Sequence, residues 1–311
     1  MIWLQTLAYI SIVVFVLITF LKFIRYLTMP MHLRWELYPV PHEKGKDKYG
    51  GSYYEEPEWW KKPIETTIVG ELKETLIEML FIKRLFKYNR SLWYLSSLFH
   101  WGIYLILIWF LIIFISAISS VLDLSTLESI TLSAANILGP IGMILLTIGC
   151  LGLLLRRFAD RDLKRYSSIS DYINLLFILT VVVTGLIAWG VDTDFSIAKS
   201  FAKSLITFTP LPEIPSIIVL HVVLLSALVI YIPFTKISHY IAKYFTYHYV
   251  LWDDHPNLVS TPIKKKIKKV LRYRLTWSAP HIRENLTWEE EAKTIEPVLK
   301  LKTMSKQERR R

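Results

Sequence analysis

Histidine is the residue whose type and placement in this sequence could support cofactor chemistry. Eight histidines occur, and three of them lie within or at the end of long apolar stretches: His100, His221 and His239. Neutral imidazole is a common metal ligand, and polar side chains inside a membrane are costly enough to be functional candidates. The other five lie in charged segments: His32, His42, His248, His255 and His281.

The spacing of the last two of these candidates predicts sites near opposite surfaces of a membrane. His221 and His239 are 18 residues apart, which is five turns of an α-helix. A continuous helix would place both side chains on one face, about 27 Å apart along the axis.

His100 is predicted to lie at the same depth as His239. It comes about nine residues into its own apolar stretch, which runs antiparallel to the stretch that ends near His239. Two neutral imidazoles that face each other across a helix pair are the usual axial ligands of a low-spin b-type haem. Two plainer interpretations stay open: an interfacial role for His239, and hydrogen bonds from single histidines to neighbouring helices.

Five stretches without Asp, Glu, Lys or Arg must position these histidines: 1–21, 91–122, 129–155, 172–191 and 214–235. Each is about 20 residues or longer, which is the length a helix needs to cross a bilayer. They exclude a soluble globular protein, and they lack the short alternating strands of a membrane β-barrel. The predicted fold is an all-α integral membrane protein, a bundle of five transmembrane helices. The lack of ionisable carboxylates and lysines inside the spans argues against an ion pump or proton antiporter.

The basic residues predict the orientation. Of the 37 lysines and arginines, only Lys199 and Lys203 lie in segments that the alternation of spans assigns to the outer side. The positive-inside rule then places the N-terminus outside and the C-terminus in the cytoplasm, in the cytoplasmic (inner) membrane. The net charge of +11 is explained by this topology and by anionic lipids. No nucleic-acid-binding motif accompanies it, so nucleic acid is not an expected partner.

The predicted organisation has four parts. Residues 1–27 form the first transmembrane helix, which we interpret as a retained span because it lacks a basic n-region. Residues 28–90 form a cytoplasmic loop, residues 91–245 form transmembrane helices 2–5 with the candidate histidines, and residues 246–311 form a basic cytoplasmic tail.

The predicted cytoplasmic segments contain three notable features. Residues 29–63 are rich in proline, tryptophan and tyrosine, which is typical of the bilayer interface or of a docking surface for a partner. Residues 64–87 are predicted to form an amphipathic helix, with an apolar face of Ile68, Leu72, Leu76 and Met79. The tail is predicted to contain a basic amphipathic helix of the membrane-surface type. Its apolar stripe consists of Ile263, Ile267, Val270, Leu271 and Leu275.

Cysteine and glycine content further limit the chemistry. The single cysteine, Cys150, can form neither a disulfide within the chain nor an iron–sulfur cluster, so iron–sulfur chemistry would require a partner. The third span carries four glycines that would let either a helix or a flat macrocycle approach closely. They are Gly139, Gly142, Gly149 and Gly152.

Two motifs carry a family resemblance: LFHWG around His100, and the segment LHVV…FTKISHY with His221 and His239. Over roughly residues 1–245 the chain resembles the family of the nitrate reductase gamma subunit. That family includes the membrane cytochrome b subunits of heterodisulfide-reductase-like and sulfate-respiration complexes. The resemblance implies an electron-transfer subunit of an oxidoreductase complex rather than a stand-alone enzyme. It implies electron transfer through haem b between menaquinone or another quinone and a cytoplasmic iron–sulfur subunit of heterodisulfide-reductase type. An extracytoplasmic cytochrome c subunit is a further implied partner.

The resemblance also implies roles for single residues. His100 and His239 match the ligands of the haem nearer the cytoplasmic partner, and His221 matches one ligand of a second, outer haem. The position of the other outer ligand, ten residues after His100, is occupied by Phe110. One haem is therefore expected, and the outer haem is either absent, ligated by another side chain such as Met143, or completed by another subunit. Two other functions stay open: a haem-free membrane anchor that docks a redox partner, and a small-solute carrier.

Overall fold

The computed structural model describes residues 1–28, 57–58, 61–62, 65, 67–246, 262–279 and 282–293. Over these ranges the chain is helical apart from connections and two isolated β-bridges. The helices are α1 (Ile2–Thr28), α2 (Ile68–Phe81), α3 (Lys83–Tyr88), α4 (Arg90–Val121), α5 (Ser125–Ala159), α6 (Arg161–Tyr166), α7 (Ile169–Val191), α8 (Ser196–Thr207), α9 (Ser216–Tyr231), α10 (His239–Thr246), α11 (Pro262–Leu271) and α12 (Trp288–Ala292).

Five helical segments are long and apolar enough to cross a membrane: α1, α4, α5, α7 and Ser216–Phe234, which begins with α9. The predicted all-α fold with five spans is confirmed, and the chain is a multi-pass membrane protein. The side on which each terminus lies stays a prediction.

Contacts group the chain into two compact units. The first comprises Met1–Ile24 and Ile68–Lys243, and it holds all three candidate histidines; the second comprises Arg25–Thr67 and Tyr244–Arg311. In the second unit, half of the ten residues of α11 are lysine, so the basic helix predicted in the tail is present. Leu275, which follows α11, is 2% exposed and donates its backbone N–H to the carbonyl of Leu286. The aromatic segment 29–63, apart from four residues, and the end of the tail lie outside the described residues.

Within the first unit the spans pack in sequence, α4 against α5, α5 against α7, and α7 against α9. The α4–α5 contact is the closest because glycine backbone meets backbone. A Cβ added to Gly102 would lie 2.5 Å from the backbone nitrogen of Leu146, and one added to Gly149 would collide with the backbone of Phe99. The glycines of the third span therefore serve helix packing: Gly142 and Gly152 also face side chains of α4.

The predicted loop between the fourth and fifth spans contains a helix, α8, that the sequence pattern did not indicate. Asp192, which is 7% exposed, caps its first turn by accepting from the backbone N–H groups of Ile197 and Ala198. Lys199 of α8 forms an ion pair with Glu128 at 2.6 Å. Gln5 of α1 donates to the carbonyl of Thr209 at 2.7 Å, so α1 is held at this end of the bundle.

The predicted amphipathic helix over 64–87 is wrong as one continuous element. It is broken at Ile82, whose φ of 48° lies in the left-handed region that β-branched residues rarely adopt. The break separates α2 from α3. The predicted apolar face lies on α2 and is exposed within this chain: Ile68 is 73% and Leu72 59% exposed.

The inference of one straight helix from His221 to His239 is also wrong. Helix α9 ends at Tyr231 and is followed by two 3-10 turns, Ile232–Phe234 and Lys236–Ser238, before α10 begins at His239. Pro233 lacks the N–H that would continue the helix, and Thr235 is extended with ψ of 179°. The relative directions of His221 and His239 therefore do not follow from their spacing.

Candidate functional site

His100 is held in one tautomer by its own helix. Its Nδ1 lies 2.7 Å from the backbone carbonyl oxygen of Ser96, one turn earlier in α4. A carbonyl can only accept a hydrogen bond, so Nδ1 carries the proton and donates it. The lone pair is then on Nε2, which is the arrangement of a metal-ligating histidine whose other nitrogen is oriented by the backbone.

The imidazole of His239 is oriented in the same way. It is the first residue of α10, and its Nδ1 lies 3.2 Å from the carbonyl oxygen of Lys236 in the preceding 3-10 turn. This nitrogen is therefore the donor, and Nε2 carries the lone pair. Among the described residues, neither His100 nor His239 has a hydrogen-bond partner at Nε2.

The two imidazoles lie side by side, as the depth argument predicted. Their ring centroids are 6.2 Å apart, and the ring planes are 80° from parallel. A haem needs only two axial protein ligands because the porphyrin supplies the other four nitrogens. The pair therefore fits the donor set of a bis-histidine haem.

Helix α2 borders this site because aromatic side chains of α4 bind its end. The last carbonyls of a helix have no partner within the helix. Here those of α2 accept from Trp93, Trp101 and Tyr104. Trp93 Nε1 donates to Phe81 O at 2.6 Å, Trp101 Nε1 to Leu80 O at 2.8 Å, and Tyr104 Oη to Met79 O at 2.6 Å. Three hydrogen bonds to three successive carbonyls fix the end of α2 along α4 at the level of His100.

An ion pair between a buried carboxylate and a half-buried lysine joins α2 to α10 beside the histidines. Glu78 is 4% exposed, and its Oε1 lies 3.1 Å from Nζ of Lys243. Its Oε2 accepts from the backbone N–H of Arg84, at the start of α3, at 3.1 Å. Both carboxylate oxygens are therefore occupied by donors. Lys243 is four residues after His239 in α10, so the two side chains share a face of that helix.

The sequence argument missed Glu78 and Lys243. Only one sequence signal pointed to either residue: Lys243 lies one turn after His239. Nothing local distinguishes Glu78 from the half-buried Glu74 of the same helix, since burial of Glu78 follows from how α2 packs.

His221 lies in a separate environment between α9, α7 and α5. Its Nδ1 is 3.2 Å from Oγ1 of Thr184, whose own hydrogen is directed to the carbonyl of Val181 at 2.9 Å. The imidazole therefore donates from Nδ1 here as well. A Cβ added to Gly185 would lie 3.0 Å from His221 Cε1 and 3.3 Å from Met143 Sδ, so these two side chains converge on the backbone of α7.

Two other groups of sequence candidates are placed differently. Phe110 packs edge-on against Trp109, with ring centroids 5.0 Å apart. The histidines outside the spans lie outside the described residues: His32, His42, His248, His255 and His281. Within the described part of the chain, no group of three or more His, Cys, Asp or Glu side chains could hold a metal ion by itself.

Comparison with known proteins places this site in a family. The chain is 27% identical over 191 residues to the Hdr-like menaquinol oxidoreductase cytochrome b-like subunit of Archaeoglobus profundus. The match covers 55% of this chain and 56% of that relative, so it spans little more than half the length of either protein. The family model described as nitrate reductase gamma subunit matches residues 85–255, more than half of the 311. The matched region contains His100, His221 and His239, and the chain therefore belongs to the nitrate reductase gamma subunit family.

Proposed function

We propose that this chain is the haem b membrane subunit of a respiratory oxidoreductase complex. It passes electrons between a membrane quinone, with menaquinone the first candidate, and a cytoplasmic iron–sulfur subunit of heterodisulfide-reductase type. The observation that carries this function is the placement of His100 and His239, with centroids 6.2 Å apart and both Nδ1 atoms bound to backbone carbonyls. The name of the Archaeoglobus relative, a menaquinol oxidoreductase subunit, supports the choice of menaquinol and of a complex with partner subunits.

The chain contributes orientation and insulation rather than bond-making chemistry. When bound, a b-type haem supplies a one-electron carrier within the apolar bundle. His100 and His239 would hold its iron through Nε2. The backbone carbonyls of Ser96 and Lys236 keep each imidazole in the required tautomer and increase its basicity as a ligand.

The orientation that we propose follows the distribution of basic residues. The N-terminus lies outside, and the loop after α1 and the tail after α10 face the cytoplasm. His239 is then on the cytoplasmic side, next to the proposed iron–sulfur partner, and His221 is nearer the outer surface. An extracytoplasmic cytochrome c subunit would meet that outer side.

The number of haems per chain tests this function. We expect the complex purified from membranes to contain close to one low-spin haem b per chain, reducible by a menaquinol analogue. The measurement is haem content together with a reduced-minus-oxidised spectrum. Two haems per chain would mean that His221 ligates a second one, for which Met143 is the nearest candidate partner. A complex without haem would contradict the proposal and favour a membrane anchor that only docks its partner.

A further inference from the structure

The position of helix α10 relative to the rest of the bundle depends on side-chain contacts. Because the helix is interrupted over 232–238, the position of α10 is not fixed by continuity with α9. It has to be fixed by contacts of its own. Lys22 of α1 donates at 2.8 Å to Oγ of Ser238, the residue before α10, and Lys243 within α10 pairs with Glu78 of α2.

The second of these contacts leads directly to His100. Glu78 belongs to α2, and the end of α2 is bound to α4 by three aromatic side chains at the level of His100. A continuous series of polar contacts therefore runs from α4 through α2 to α10. The last residue of the series, Lys243, shares a helix face with His239.

We propose that the ion pair between buried Glu78 and half-buried Lys243 positions the His100–His239 site: it holds His239 opposite His100 and balances the charge beside them. This inference rests on the proposed function, since it assigns the pair a task at the haem. Glu78 and Lys243 are positioning residues because they act through α10 and not by touching the iron.

Glu78 is buried, and the Lys243 side chain is 29% exposed, so solvent screens this pair less than it screens a pair on the surface. Removing one partner changes the net charge beside the histidines by one unit. Glu78→Gln leaves the lysine charge, which favours the reduced haem and raises its midpoint potential. Lys243→Gln leaves the carboxylate charge and lowers the potential. A purely structural role would shift both variants in the same direction.

The experiment compares the whole complex carrying Glu78→Gln, Lys243→Gln, or the exchanged pair Glu78→Lys with Lys243→Glu. We expect each single variant to retain haem about 10-fold less tightly, as for other residues that orient a metal ligand. We also expect midpoint potentials shifted in opposite directions and an altered electron paramagnetic resonance spectrum, which depends on the angle between the imidazole planes. The exchanged pair should return the potential toward the wild-type value. Haem retention should recover in part, because a lysine at position 78 cannot accept the bond that Glu78 accepts from the Arg84 N–H.

The matched control lies on the same helix. Glu74 pairs with Lys83 at 2.6 Å, but 53% of the lysine side chain is exposed. Glu74→Gln should leave haem content, potential and spectrum unchanged. If Glu78→Gln does not accumulate, the exchanged pair and Lys243→Gln still test whether the ion pair positions His239.

The outcomes separate the two hypotheses. Normal haem in the wild type with unaltered potentials and spectra in the single variants would overturn the positioning role alone. Midpoint potentials that shift in the same direction in both single variants would also overturn the positioning role. A wild-type complex without haem would overturn the proposed function, and this inference with it.

Discussion

The complex carrying His100→Ala is expected to lose its low-spin haem, and the complex carrying His239→Ala is expected to lose the same one. The two imidazoles present Nε2 from helices that have no continuous connection, so neither can substitute for the other. Removing a group that only orients a metal ligand lowers affinity roughly 10- to 100-fold. Removing the ligand itself should lower haem affinity by more than this, so little haem should remain bound. The reduced-minus-oxidised spectrum and the haem content per chain measure this.

The control for these variants is His221→Ala. Its imidazole contacts Thr184 and Gly185 in a different part of the bundle. The spectrum of the haem held by His100 and His239 should therefore persist in this variant. If the wild type contains two haems, His221→Ala should remove only the second. An unchanged spectrum in both His100→Ala and His239→Ala would contradict the ligand assignment.

The second large effect is expected from Gly149→Ala and, more strongly, from Gly149→Val. A Cβ at this position would meet backbone atoms of Phe99, the residue before His100, and backbone cannot rotate away as a side chain can. Helices α4 and α5 would have to separate at their closest contact. Overpacking of this kind costs about 1–3 kcal/mol of unfolding free energy, and occasionally more. We expect a lower yield in membranes and a lower unfolding temperature in detergent.

Gly190→Ala is the matched control, because a Cβ added there has no heavy atom within 4 Å. It should behave like the wild type in yield and unfolding temperature. Gly102→Ala, on the α4 side of the same contact, should resemble Gly149→Ala. Equal stability of Gly149→Val and Gly190→Ala would show that the α4–α5 contact tolerates expansion.

Much of the architecture could be predicted because the bilayer imposes simple requirements. Long uncharged stretches must be helices, and these gave the five spans and the depth match between His100 and His239. The sequence also contains a signal for the break after Tyr231, since Pro233 lies between His221 and His239 and cannot donate a backbone hydrogen bond. The depth match between His100 and His239 does not need a straight helix, because it concerns only the level of each residue and not the direction of its side chain.

Other features depend on packing that no local pattern reports. The left-handed conformation of Ile82 is unfavourable for its residue type, so nothing in its neighbourhood predicts a break there. Glu78 and Glu74 are alike in sequence, yet only Glu78 is buried, because the aromatic donors of α4 fix how α2 is turned. The main local signal for helix α8 is its capping residue, Asp192. An aspartate at this position is also common in an ordinary loop, so it did not predict a helix.

The interruption after α9 also indicates how far the His100–His239 site lies from the centre of the membrane. The segment from Ser216 to Phe234 has 19 residues, which span about 28 Å as a helix, close to the roughly 30 Å thickness of the hydrocarbon core. Backbone groups released by a break are tolerated at the edge of that core far better than in its centre. His239 lies five residues beyond this segment, and its side chain is exposed within the chain. In the proposed function, a redox centre held there would lie within short electron-transfer range of a protein docked on the membrane surface, because tunnelling rates fall steeply with distance.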